Sequence, residues 1–64
     1  MINYEGQRIN KGTRVTVYDW GEGTVQAGRK DECGQVDVLW DNPELGIVAI
    51  DPYKLDLVKM AVLA

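Results

Sequence analysis

Apolar and polar residues alternate with a period of two along several short stretches of this 64-residue chain. The clearest example is residues 36–40, where Val36, Val38 and Trp40 fall on one side and Asp37 and Leu39 fall on the other. Such alternation is typical of a strand with one buried face. We therefore predict a strand here and expect Trp40 to be a core residue.

Other stretches rich in β-branched residues show the same period more briefly. Val15 and Val17 share one face of the first of them, which leaves Tyr18 on the opposite face. The last stretch, residues 56–59, is long enough only for a closing edge strand. The predicted strands besides 36–40 are residues 13–18, 23–27, 46–50 and 56–59.

Turn-forming residues separate these stretches. Residues 19–22 form a turn with a glycine, and Pro43 marks a second turn over residues 41–44. Residues 51–55 fit one turn of helix, because Asp51 can accept hydrogen bonds from the free amides and Pro52 stands at the first helical position. We predict a short 3-10 turn near Pro52–Leu55.

The two ends of the chain are less regular. Residues 2–9 alternate loosely, with Ile2 and Tyr4 on one face, and predict a lead-in strand. Residues 60–64 form an apolar tail that needs cover. Either it packs on the lead-in strand, or it pairs with a second copy and makes the protein a homo-oligomer.

Composition excludes several classes of function. The chain has no histidine and one cysteine, Cys33, so it can form neither an internal disulfide nor the usual zinc site. No spacing of carboxylates marks a metal site, and without histidine a nucleophile would need a lysine or a carboxylate as its base. We expect no catalytic residues, no metal and no cofactor. The N-terminus has no signal-peptide pattern and no segment is long enough to span a bilayer, which favours a cytoplasmic location.

The order of motifs resembles that of the SH3-like small β-barrels, a group that includes Tudor, KOW, CAP-Gly and Mind-bomb-type domains. The resemblance covers residues 12–58 and is carried by G-x-R-V-x-V, G-x-G-x-V, V-x-V-x-W-D, D-P-x-x-L and L-V, in that order. It implies an all-β fold, a small barrel of about five antiparallel strands over residues 12–59, in a single domain of residues 1–64. These motifs are structural, so the resemblance indicates no ligand.

Aromatic and acidic residues near the predicted turns are the best candidates for a binding site. Ring faces and carboxylates together attract cations, including the basic side chains of a protein or peptide partner. Trp20 stands in a polar turn, where it either contacts a partner or folds back to cap the end of the barrel. The predicted partner-binding residues are Tyr18, Asp19, Trp20, Glu22, Asp41 and Tyr53.

We therefore predict a non-enzymatic protein-interaction module, in the form of a stand-alone accessory, adaptor or inhibitor protein. Phage-encoded inhibitors and adaptors are similar in size and simplicity, which is an analogy of form only. The alternatives are a homo-oligomeric building block and a nucleic-acid- or nucleotide-binding barrel of KOW or Tudor type. The net charge of −3 disfavours nucleic acid, and that alternative needs Arg8, Lys11, Arg14 and Arg29 to cluster.

Overall fold

A computed structural model of the protein describes residues 1–58. These residues form five short strands and one 3-10 turn, and contain no α-helix. In chain order the elements are β1 (Arg14–Val17), β2 (Gly21–Val25), β3 (Val36–Trp40), β4 (Ile47–Ile50), the 3-10 turn Pro52–Lys54, and β5 (Asp56–Leu57). The predicted all-β class and the position of the 3-10 turn are confirmed.

The strands form a single antiparallel sheet in the order β4-β3-β2-β1-β5. Strands β4 and β5 are its two edges, and no ladder joins them within residues 1–58. The sheet is therefore open, whereas a fully hydrogen-bonded barrel would be closed. Just beyond β5, the N–H of Val58 donates to Arg14 O at 3.1 Å.

The first hairpin is tighter than the sequence suggested. The N–H of Trp20 donates to Val17 O at 3.1 Å, so the turn occupies Tyr18 to Trp20 and β2 begins at Gly21. Gly21 has a φ of +77°, a conformation that side chains with a Cβ rarely adopt. The glycine allows the chain to return directly into the ladder.

One face of the sheet forms the hydrophobic core. Trp40 is 2% exposed, as its place in the alternating pattern predicted, and its Nε1 donates to Val48 O at 3.3 Å. Gly23 lies directly opposite Trp40 in the β2–β3 ladder and leaves room for the indole ring. The other buried apolar residues are Ile9, Val15, Val25, Val36, Val38, Ile50 and Leu55.

The 3-10 turn closes one end of this core. Asp51 Oδ1 accepts a hydrogen bond from the N–H of Tyr53 at 3.0 Å, which is the predicted capping contact. Pro52 follows it and is buried, and Leu55 at the end of the turn is fully buried. The turn therefore carries the chain from β4 to β5 while its apolar residues pack inward.

The predicted lead-in strand over residues 2–9 is not present. Instead, a single bridge between Ile2 and Arg8 closes a loop around the buried Asn3 side chain. Asn3 Oδ1 accepts from the N–H groups of Glu5 and Gln7, and its Nδ2 donates to Leu55 O at 2.9 Å. These hydrogen bonds occupy backbone groups that a strand ladder would otherwise pair, because side-chain amides compete with ladders for backbone N–H and C=O groups. The predicted tail at residues 60–64 lies outside the described residues.

Candidate functional site

A row of polar residues crosses the face of the sheet opposite the core. Thr16 of β1 pairs with Asp56 of β5 on one side and with Glu22 of β2 on the other. Asp41, just beyond β3, continues the row, since its N–H donates to Glu22 O at 2.9 Å. Paired residues in antiparallel strands point to the same face, with neighbouring Cα atoms roughly 5 Å apart. Three carboxylates therefore share one row, which we call the carboxylate row (Asp56, Glu22 and Asp41).

Arg14 is the one cation that pairs with this row within residues 1–58. Its guanidinium bonds both oxygens of Asp41, at 2.9 and 2.5 Å, and lies 3.3 Å from Glu22 Oε1. The hydrogen bonds to Asp41 raise the pKa of Arg14, and the guanidinium lowers the pKa of Asp41. A bidentate contact of this kind fixes both side chains. Among the three carboxylates, Asp41 is thus the one most fully neutralised.

A second cross-strand row lies beside the first and changes from polar to apolar along its length. It runs from Arg14 through Thr24 and Leu39 to Ile47, with Arg14 Nη1 donating to Thr24 Oγ1 at 2.9 Å. Leu39 is 44% exposed and Ile47 is 60% exposed. The outward face therefore carries an apolar pair at the β4 edge, in the row next to the carboxylate row.

Two tyrosines lie at the β5 end of the carboxylate row. The hydroxyl of Tyr4 donates to Asp56 Oδ1, and this hydrogen bond raises the pKa of Tyr4. The rings of Tyr4 and Tyr53 meet edge to face, with centroids 6.4 Å apart. The N–H of Tyr4 also donates to Tyr53 O at 2.9 Å. Both side chains stay about half exposed, so aromatic surface adjoins the carboxylate.

The β1–β2 turn presents one aromatic side chain outward and another inward. Tyr18 is 98% exposed, and Asp19 next to it is exposed as well. Trp20 is half-buried, with its ring edge to face against Trp40 at a centroid distance of 5.3 Å. The geometry at Trp20 is that of a cap on the core, which was one of the two interpretations of this residue.

The structure brings only some of the six predicted site residues together. Glu22 and Asp41 are neighbours in the carboxylate row. Tyr53 belongs to the tyrosine pair beyond Asp56, and Tyr18 stands at the tip of the turn. Sequence reasoning missed three residues of this face, namely Tyr4, Arg14 as an ion-pair partner, and Asp56. Arg14 and Asp56 were detectable only once the strand register was known, because the register decides which residues share a row.

The potential metal ligands, the cysteine and the cations of residues 1–58 bear on other kinds of site. No group of three or more potential metal ligands occurs there, and Cys33 is a free, exposed thiol in a loop. Arg14, one of four cations considered for nucleic acid, is held by two carboxylates. In this part of the chain no helix has the length and apolar character needed to cross a membrane.

Comparisons with protein-family models, with curated proteins and with solved structures each gave no match to this chain. The geometry of the outward face is therefore the basis for assigning a function.

Proposed function

We propose that this protein is a non-enzymatic interaction module that binds a basic segment of a protein partner on the outward face of its sheet. The observation that carries the proposal is the carboxylate row of three acidic side chains, where the one ion-pairing cation within residues 1–58 contacts only Asp41 and Glu22. The arginine is most tightly engaged with Asp41. The negative charges of Glu22 and Asp56 are therefore less fully balanced than that of Asp41.

Exposed rings near the row support a cationic partner. Tyr4 bonds Asp56 and packs edge to face against Tyr53, and Tyr18 projects from the turn that leads into β2. Lys and Arg side chains bind aromatic faces as well as carboxylates, so the two kinds of group act on the same ligand. The proposed binding residues remain Tyr18, Asp19, Trp20, Glu22, Asp41 and Tyr53, with Tyr4 and Asp56 added. Trp20 contributes by holding the turn against Trp40.

A titration of the full chain with a basic probe tests the proposal. The probe is a peptide of alternating arginine and glycine, since glycine disfavours strand formation and leaves charge as the main attraction. Amide NMR shifts should move at the carboxylate row and at Tyr18. Binding should weaken as salt is added, because exposed charges are screened.

Matched variants separate this site from general charge attraction. Glu22→Gln should weaken binding about two- to fivefold, as expected for one exposed ion pair. Glu32→Gln removes the same charge from the loop before β3 and should leave the affinity unchanged. Equal losses in the two variants would contradict the proposal. Tyr18→Ala is a cleaner aromatic test than Trp20→Ala, because Tyr18 is 98% exposed and has no packing role.

A further inference from the structure

Strand β4 is an edge strand with backbone groups available for pairing. Trp40 N–H donates to Gly46 O at 2.9 Å, so these two residues form a hydrogen-bonded pair. Hydrogen-bonded and non-hydrogen-bonded pairs alternate along an antiparallel ladder. The pairs of Ile47 with Leu39 and of Ala49 with Asp37 are therefore of the second kind. Consequently the N–H and C=O groups of Ile47 and Ala49 point away from β3, toward an edge that no strand within residues 1–58 covers.

The side chains of β4 do not protect this edge. Proteins usually block exposed edges with lysine, proline, a bulge or an inward-pointing charge, whereas β4 reads Ile-Val-Ala-Ile and pairs regularly along its length. On its outward face, Ile47 and Leu39 form the exposed apolar pair described above. Such an edge suits an added strand whose own apolar side chain covers Ile47.

A negative charge beside the β4 edge indicates that the partner segment is basic. Asp37 lies next to Ala49 in the β3–β4 ladder, is exposed, and has no ion pair within residues 1–58. Because strands lie about 4.8 Å apart, a residue opposite Ala49 in an added strand would be two strand spacings from Asp37. Lysine or arginine at that place can extend across the small Ala49 side chain to the Asp37 carboxylate.

We propose that β4 is a second binding surface, which accepts an extended partner segment as an additional strand of the sheet. In antiparallel orientation the segment carries a basic residue opposite Ala49 and an apolar residue two positions later, opposite Ile47. Strand addition gives affinity through main-chain hydrogen bonds, and the two side chains give specificity. This surface is distinct from the carboxylate row, so it goes beyond the function proposed above.

A second copy of the protein fits the β4 edge less well than such a segment. Its own β4 has no basic residue to place near Asp37. Pairing two copies would also bring together two chains that each have a net charge of −3. Like charges across an interface oppose association. Charge complementarity therefore favours a basic segment.

The test is an amide NMR titration of the full chain with the capped peptide Ser-Thr-Lys-Thr-Ile-Thr-Ser. Shifts should be largest over β4 and at Leu39. A peptide with glutamate in place of the lysine should bind about tenfold more weakly. N-methylation of the isoleucine, which removes an amide facing β4, should abolish binding. N-methylation of the threonine before it alters an amide facing solvent and should be tolerated.

A matched pair of protein variants locates the surface. Ile47→Lys should reduce binding of the lysine peptide about tenfold, since it replaces the apolar contact with a like charge. Ile2→Lys makes the same substitution at another exposed isoleucine and should have no effect. Glu22→Gln should also have no effect, although it weakens the arginine-glycine probe. The two proposals can therefore fail separately.

Several results would overturn the β4 proposal. These are equal binding of the two N-methylated peptides, absence of shifts in β4, or a dimer of the free protein that is lost in Ile47→Lys. Binding by a variant ending at Lys59 but not by the full chain would overturn it too, because the chain's own apolar end would then hold the edge.

Discussion

The two faces of the sheet differ in what their side chains are required to do. The inward face is apolar and tightly packed, with Val15, Val38 and Trp40 almost completely buried. The outward face carries the carboxylate row, exposed rings and an exposed apolar pair. A domain this small has roughly 3–5 kcal/mol of stability to lose. Changes on the inward face should therefore decide whether the protein folds, whereas changes on the outward face should act mainly on binding.

Gly23 gives the largest expected effect, because it sets the packing of the inward face. A Cβ at this position would lie 2.6 Å from Val38 Cγ1 and 2.9 Å from both Leu39 O and Trp40 Cε3. One of these atoms is backbone and cannot move without disturbing the ladder. Gly23→Ala should lower the free energy of unfolding by about 1–3 kcal/mol, measured by urea denaturation.

Gly28→Ala is the control for this prediction. A Cβ at Gly28 meets nothing within 4 Å, and its φ is not positive. This substitution should be neutral or slightly stabilising, because alanine restricts the unfolded chain. Similar losses in Gly23→Ala and Gly28→Ala would show that close packing under Trp40 is not what makes glycine necessary.

Asn3 has the one polar side chain that is buried in residues 1–58, and the next prediction concerns its removal. Asn3→Ala would leave Leu55 O and the N–H groups of Glu5 and Gln7 without this partner. Unpaired buried groups keep their desolvation cost, so the loss should be roughly 1–3 kcal/mol. Thermal unfolding measures it.

Asn10→Ala is the matched substitution for Asn3. Asn10 is exposed, and within residues 1–58 its side chain makes no hydrogen bond. The expected change is within about 0.5 kcal/mol, as for most surface positions. If Asn3→Ala were equally mild, the N-terminal loop would not be held by the Asn3 side chain.

The sequence predicts the inward face far better than the outward one. Period-two alternation identifies Val36, Val38 and Trp40 as core residues because burial acts on each strand separately. The outward rows depend on register between strands, and the contact between Arg14 and Asp41 spans 27 positions. Nothing in the local pattern contains that information. The N-terminal loop was not predicted for a related reason. Its loose alternation favours a strand, and the alternation alone does not show that the Asn3 side chain bonds the surrounding backbone.

The ion pair of Arg14 with Asp41 gives the smallest expected effect, because it is exposed and belongs to the outward face. The guanidinium keeps the pKa of the Asp41 carboxyl below its ordinary value of 3.8. A carboxyl whose pKa is lowered by folding adds stability above its ordinary pKa and loses it as the pH falls through the folded value. The contribution of Asp41 should therefore be complete at neutral pH and should decline as the pH falls below about 4. Asp41→Asn should lower the urea midpoint slightly at neutral pH, and the two midpoints should converge in acid.

Asp19→Asn removes another exposed carboxylate, one that forms no ion pair within residues 1–58. Its urea midpoint should follow that of the unmodified protein at every pH, apart from the general effect of one charge. Added salt should shrink the difference made by Asp41→Asn, since screening weakens exposed pairs. A difference that persists in acid or resists salt would mean that Asp41 stabilises the protein through packing. Asp41 would then contribute to the packing of the fold although it lies on the outward face.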